Sequence, residues 1–193
     1  MKLEVIVFIS YFMGSIPFGF LLTKFFLEKD IREIGSGNIG ATNALRTGNK
    51  FIGYATLTLD ILKAIIPIIF FKIYFIEYLY VASLCVFLGH VFPIWLKFKG
   101  GKGVATYIGF LIGLNFHIGL YFLLTWIIVA LIFRYSSLSS LAASLVVSLY
   151  FFFVNPNNFV GIFLMYLFLI ISLKHRENIK RLMNGSENKI KLS

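Results

Sequence analysis

The chain has 193 residues, 59% of them hydrophobic and 13% charged, and its 18 Lys and Arg against 8 Asp and Glu give a net charge of +10. About a quarter of an ordinary soluble domain is charged, so this composition excludes a soluble enzyme, and 23 Phe carry far more apolar area than a disordered chain would. The length suits a single domain over residues 1–193 that is solvated by lipid, and the Lys and Arg excess reads as membrane topology rather than as a nucleic-acid surface.

Residues 3–27 predict a first membrane helix, broken only by Glu4 and Lys24 near its ends. At about 1.5 Å per residue it exceeds a hydrocarbon core of about 30 Å. Glu28, Lys29 and Asp30 follow it where a cleaved signal would carry small residues, so the helix is expected to be retained. The inner loop 30–46 reads DIREIGSGNIGATNALR. Gly35, Gly37 and Gly40 alternate with Ser36, Asn38, Thr42 and Asn43, and Arg46 closes the run. Glycines let backbone N–H groups converge, hydroxyls and amides add donors, and arginine offers a planar fork, which together suit a phosphate. The same residues also suit a flexible loop with topogenic charges.

Runs 51–71 and 78–96 predict the second and third spans, joined by a connector with Lys72 and Glu77. Asp60 and Lys63, at i and i+3, read as a mutually neutralising pair. Cys85 reads as packing, since one cysteine excludes a disulfide or metal cluster within the chain. His90 is expected to orient the following loop through a hydrogen bond. That loop belongs to GHVFPIWLKFKGGKGVAT, in which Lys97, Lys99, Gly100, Gly101, Lys102 and Gly103 precede an apolar run from Val104. A glycine–lysine turn at a helix N-terminus offers a phosphate both unpaired N–H groups and an ammonium. Walker spacing is missing, so ATP is not implied. The bland alternative is a basic turn that anchors two spans.

Residues 104–133 would make about 45 Å of helix, too long for one upright span, and are predicted to split near Asn115, with His117 in an outer turn. Residues 138–173 are predicted to split at Asn155, Pro156, Asn157 and Asn158, a turn signature. Between these regions lie Arg134, Ser136, Ser137, Ser139 and Ser140. The tail LKHRENIKRLMNGSENK places His175 and Asn178 three apart, on one face of any continuing helix, although a lipid-binding basic tail is the commoner meaning of such a segment.

With seven spans and the N-terminus outside, every Lys and Arg except Lys2, Lys63 and Lys72 falls on the inner side or its boundary, including Lys191 of the tail. Six spans would reverse that bias. Five would move only Arg134, and the Asn-Pro-Asn-Asn interruption favours seven. All three polar segments then lie on one face, which fits an interfacial enzyme, whereas a carrier site is expected nearer the bilayer midplane. A small anion or phosphate-ester carrier is the second reading. A His-x-x-x-x-Asp acyltransferase fails, because Trp95, Phe122 and Lys180 stand five after the three histidines. No metal-ligand spacing is present, and neither metal nor cofactor is expected.

GSIPFGFLLTK, DIREIGSGNIGATNALR, LDILK, GHVFPIWLKFKGGKGVAT, the serines after Arg134 and HRENIKRLMNGSE together resemble the bacterial acyl-phosphate-dependent glycerol-3-phosphate acyltransferases, the PlsY family. The resemblance runs from Gly14 to Glu187. It implies an all-α integral membrane enzyme with seven helices and a cytoplasmic C-terminus, in the bacterial inner membrane, with its site facing the cytoplasm. It implies acyl transfer from acyl phosphate to the 1-hydroxyl of sn-glycerol 3-phosphate, giving lysophosphatidic acid and inorganic phosphate, by a protein expected to work as a monomer among membrane lipids. By the same resemblance Ser36, Arg46, Lys102, His175 and Asn178 are similar to catalytic positions. Asn38, Thr42, Asn43, Gly100, Gly101, Gly103 and Ser140 are expected to bind substrate. Acyl phosphate is an activated anhydride, so positioning and charge stabilisation should suffice. The 100–103 turn is expected to hold acyl phosphate, and Arg46, Ser140, His175 and Asn178 to hold glycerol 3-phosphate, with Ser36 and Asn38 orienting the reacting groups. His175 and a substrate phosphate oxygen are the two candidate proton acceptors, and an acyl-serine at Ser36 is the competing route.

Overall fold

The first apolar run folds as two helices, because Pro17 has no N–H with which to continue the ladder. In the computed structural model, which describes residues 2–154 and 159–190, α1 (Leu3–Ser15) ends just before it and α2 (Phe18–Leu27) restarts just after it. The polar loop holds only short turns, including α3 (Ala41–Ala44). The Asn49 side chain then accepts from Ile52 N at 3.3 Å and caps α4 (Lys50–Tyr74), which runs through Pro67 unbroken. Next come α5 (Leu79–Val91) and α6 (Val104–Leu114).

These elements make one compact unit that ends at Phe116. Within it α1 lies along α5, and α4 along α6. Glycines stand at both contacts: a Cβ on Gly14 would strike the Val86 backbone, one on Gly89 that of Tyr11, and one on Gly109 the Ile61 carbonyl. In lipid, association rests on such close backbone approach, since apolar side chains gain nothing by leaving the tails. Ile31, Ile39, Ala44, Ile52 and Leu96 form a buried apolar cluster that seats the polar loop on α4 and on the turn after α5.

The second unit starts at His117. It comprises α7 (Phe116–Phe133), α8 (Ser136–Val154), α9 (Phe159–Lys174) and α10 (Arg176–Met183). Gly161 lets α9 press on the Phe152 backbone of α8, and Trp126 Nε1 donates to Ser140 Oγ at 3.0 Å between α7 and α8. α10 leaves α9 at 65°, with His175 at the joint.

All seven apolar segments expected from the sequence are helical, and no strand occurs among the described residues. The split at Asn115 is present: that residue is extended (φ −159°, ψ 125°) between α6 and α7. One residue suffices for the break, so His117 lies in the first turn of α7 and not in a loop. The turn read at Asn155, Pro156, Asn157 and Asn158, and the tail Lys191, lie outside the described residues. Four helical stretches are long and apolar enough to cross a membrane, Leu3–Leu27, Ile76–Leu96, Phe116–Phe133 and Ser136–Val154, and a fifth if α9 and the bent α10 count together. α6, at 11 residues, reaches about 17 Å, roughly half a hydrocarbon core. Phe153 is 78% exposed and Ile132 66%, surfaces that need lipid around them. The chain is a multi-pass membrane protein.

Candidate functional site

In the first unit the polar loop is built around one amide. Asn43, 2% exposed, turns its Nδ2 toward the carbonyls of Ile31, Ile34 and Asn38 at 3.1, 2.9 and 2.8 Å, while its Oδ1 accepts from Ser36 N at 2.9 Å. Asn38 Oδ1 accepts from Gly40 N at 3.0 Å. At the loop's start Asp30 accepts from Arg32 N and Nε, both at 2.9 Å, and the hydrogen bond from the Arg32 side chain holds its carboxyl below the usual range. These bonds fix a loop on which Ser36 and Thr42 are exposed. Gly35 (φ +55°) has no room for a side chain: a Cβ would sit 2.5 Å from Asn43 Oδ1 and 2.8 Å from Arg46 Cδ. Arg46 therefore lies over Gly35, exposed, and no carboxylate pairs with it among the described residues.

The 100–103 turn ends at Gly103 (φ +85°), from which α6 starts with no side-chain cap among the described residues. A glycine there supplies no side-chain acceptor to the first turn of α6, an arrangement that suits an anion at a helix N-terminus. Gly101 is different, since its N–H donates to His90 O at 3.1 Å and a Cβ there would strike the His90 ring. The turn lies flat on the end of α5 and carries Lys102, which is half-buried. Beside it is a groove of about 710 Å³ whose lining mixes apolar Phe20, Leu21 and Trp95 with the cations Lys97 and Lys99 and with Arg32, which stacks over the Phe20 ring.

His90 orients this turn as expected, but through its main-chain carbonyl. Its ring belongs to another group: Lys63 Nζ lies 3.0 Å from His90 Nδ1, 2.7 Å from Asp60 Oδ1 and 2.7 Å from the Ile16 carbonyl. The Asp60–Lys63 pair read from the sequence is therefore formed. Among the described residues Asp60 Oδ1 receives no well-aligned donor, so the contact is an ion pair more than a hydrogen bond. With an ammonium donating, His90 Nδ1 is the acceptor and the ring proton sits on Nε2.

In the second unit His175, 2% exposed, has Nδ1 at 2.8 Å from the Ile171 carbonyl. A carbonyl only accepts, so Nδ1 carries the proton and a neutral ring keeps its lone pair on Nε2. His175 and Asn178 do not share one continuing helix, because the chain turns at His175 (φ −98°, ψ 6°) before α10 begins. Asn178 Nδ2 instead donates to Glu187 Oε1 at 2.6 Å. The same oxygen accepts from Ser137 Oγ at 2.7 Å, and Oε2 accepts from Arg181 Nε at 2.7 Å. Burial would push the Glu187 carboxyl up, but donation from Asn178, Ser137 and Arg181 together outweighs it and holds the group below the ordinary glutamate range. Ser140 gives its proton to Ser136 O at 2.8 Å and accepts from Trp126. Of the two serines it is thus Ser137, one turn earlier, that reaches the Asn178 cluster. Sequence reasoning named Ser137 among the serines after Arg134 but missed Glu187 and Arg181 as its company; the available signal was an acid near the end of a basic tail.

The family model described as glycerol-3-phosphate acyltransferase matches residues 4–185. A glycerol-3-phosphate acyltransferase of Pelagibacter ubique is 57% identical over 192 residues, with 100% of each chain covered. That of Mesorhizobium japonicum is 49% identical over 181 residues, covering 94% of this chain and 92% of the relative. Among solved structures, PlsY (YgiH), an integral membrane glycerol 3-phosphate acyltransferase, is 36% identical in its glycerol 3-phosphate form. Its TM-score is 0.90, over 97% of this chain and 95% of that one. Its lysophosphatidic acid form gives a TM-score of 0.86.

Proposed function

The chain belongs to the glycerol-3-phosphate acyltransferase family, and on that premise we propose that it moves a fatty acyl chain from acyl phosphate to the 1-hydroxyl of sn-glycerol 3-phosphate. The observation that carries the choice of donor is the 100–103 turn with Lys102, next to a groove lined by both apolar and cationic side chains. Such a surface suits a molecule with a phosphate head and a hydrocarbon tail.

The glycerol hydroxyl oxygen attacks the acyl carbon, the bond from that carbon to the phosphate oxygen breaks, and inorganic phosphate leaves with lysophosphatidic acid as the other product. Lys102 is assigned to the acyl-phosphate group together with the backbone of Gly100 and Gly103. Arg46 is assigned to the glycerol 3-phosphate anion, and on the family resemblance Ser140, His175 and Asn178 are assigned to the same substrate. Ser36, Asn38 and Thr42 orient the reacting groups from the loop. Asn43 and Gly101 act by shaping their loops, because their polar groups are spent inside them. The proton of the attacking hydroxyl passes to an oxygen of the substrate phosphate; the lone pair on His175 Nε2 makes that ring the rival acceptor. A seven-pass topology with the N-terminus outside, a cytoplasmic C-terminus and catalysis at the inner membrane face completes the reading.

The test is phosphate release by detergent-purified protein given acyl phosphate and glycerol 3-phosphate with no added metal, and acyl-CoA in a parallel tube. Turnover is expected with acyl phosphate alone. Turnover only with acyl-CoA would overturn the donor assignment, and none with either donor would favour the carrier.

A further inference from the structure

Asp60, Lys63 and His90 have no assigned part in acyl transfer, yet they are only 2%, 5% and 3% exposed. Burying an ion pair is a poor route to stability, because apolar residues of similar volume often serve as well. The cluster's contacts show what else it does. Pro17 breaks the first span, so the Ile16 carbonyl lies outside any continuous helical ladder: Phe18 N donates to it at 3.2 Å across the break, and the Lys63 ammonium donates to it as well at 2.7 Å. The same ammonium is 3.0 Å from His90 Nδ1. His90 in turn receives the Gly101 N–H on its carbonyl, and its ring fills the space where a Gly101 side chain would stand. Two further bonds fasten the same junction: Trp95 Nε1 donates to Ser15 Oγ at 2.9 Å, and Tyr11 OH to Phe92 O at 2.7 Å.

We propose that Asp60, Lys63 and His90 are positioning residues that lock the 100–103 turn to the break in the first span and so set Lys102 for the donor's phosphate. The proposal rests on the reading of that turn as the acyl-phosphate site. Asp60 holds the Lys63 ammonium, Lys63 bridges the Ile16 carbonyl to the His90 ring, and the ring backs Gly101. None of the three needs to touch substrate.

His90→Ala is expected to raise the KM for acyl phosphate about tenfold while the KM for glycerol 3-phosphate stays within about twofold. His90→Asn keeps an acceptor near the Nδ1 position and is expected to restore most of the loss. Gly101→Ala pushes a methyl into the ring and should raise the same KM. In the His90→Asn background, where the ring atoms it would strike are gone, the Gly101→Ala change is expected to add less than about twofold. Folded enzyme is quantified by size exclusion and melting in detergent, so that a plain loss of fold shows as yield and not as a KM. If His90→Ala yields no folded protein, the Gly101→Ala and His90→Asn cycle carries the same comparison. Equal rises in both KM values, unchanged KM values with lower yield only, or multiplicative effects of the two substitutions would each overturn the proposal. If Lys102→Ala raises the acyl-phosphate KM but the His90 series does not, the positioning role fails and the donor site stands. Wild-type enzyme that does not use acyl phosphate would overturn both.

Discussion

Arg46 stands exposed over Gly35 with no carboxylate against it among the described residues, whereas Arg32, earlier in the same loop, is already paired with Asp30. A guanidinium without a protein anion is the better candidate for a substrate phosphate. A charge-assisted hydrogen bond contributes about 1.5–3 kcal/mol, so Arg46→Ala is expected to raise the KM for glycerol 3-phosphate roughly 10- to 100-fold. Lys102→Ala should do the same to the KM for acyl phosphate. Steady-state kinetics with each substrate varied in turn checks both, and a crossed result would reverse the assignment of the two pockets. Asn43 was legible in the sequence as a donor but not as an internal one, because its partners Ile31, Ile34 and Asn38 contribute carbonyls, which no residue type advertises. Asn43→Asp removes those donations and turns an acidic side chain toward three carbonyl oxygens. It is expected to cost about 1–3 kcal/mol of stability, read as a lower melting temperature, and to lower kcat through Ser36, whose N–H it positions.

At the scale of elements, one carboxylate ties α10 to α8, alongside the bonds between Ile190 and Arg134 that hold the tail. Glu187 gathers Ser137 from α8 with Asn178 and Arg181 from α10, so its ionisation decides whether these stay together. Its carboxyl is held low in the folded protein, so the stability it contributes is fully present above the ordinary glutamate range and is lost as pH falls through the lowered value. Glu187→Gln is therefore expected to melt earlier than wild type at neutral pH, with the two curves converging only once the pH has fallen through the lowered Glu187 value. A gap that widened on acidification would contradict the assignment. This cluster escaped sequence reading because Ser137 and Glu187 are 50 positions apart. The break at Asn115 was legible, since a lone amide in an apolar run points to an interruption. Pro17 was present but was passed over within a 25-residue apolar run, and Pro67 shows why proline alone does not decide. α4 runs through Pro67, whereas at Pro17 the helix stops, and the Ile16 carbonyl is taken by Phe18 N and Lys63.

For the whole molecule the open quantity is which polar segments share a side of the membrane. Apolar length made the seven helical segments legible, but it does not orient them, and α6 is too short to be counted by length at all. Charge is the guide to the proposed orientation: Lys and Arg favour the cytoplasmic side, so the proposed topology assigns Arg46, Lys102, Arg134 and α10 to that side and Lys72 and Glu77 to the other. Cys85 is the one cysteine, so a Cys85→Ala background allows single-cysteine labelling. Glu77→Cys, in the connector before α5, is expected to react with a membrane-impermeant maleimide in intact spheroplasts. Thr47→Cys, Lys99→Cys and Lys180→Cys should react only after permeabilisation. Glu77, Lys99 and Lys180 are exposed, and substitutions at exposed positions usually stay within about 0.5 kcal/mol of stability, so these variants should remain folded. Acyl phosphate and glycerol 3-phosphate are both charged and neither crosses a bilayer core without a carrier. An enzyme that joins them must therefore present every group that handles them to one aqueous face. Labelling that put Lys99 and Lys180 on opposite faces would separate the donor turn from the His175 and Asn178 segment, and no assignment of substrate roles to both could survive it.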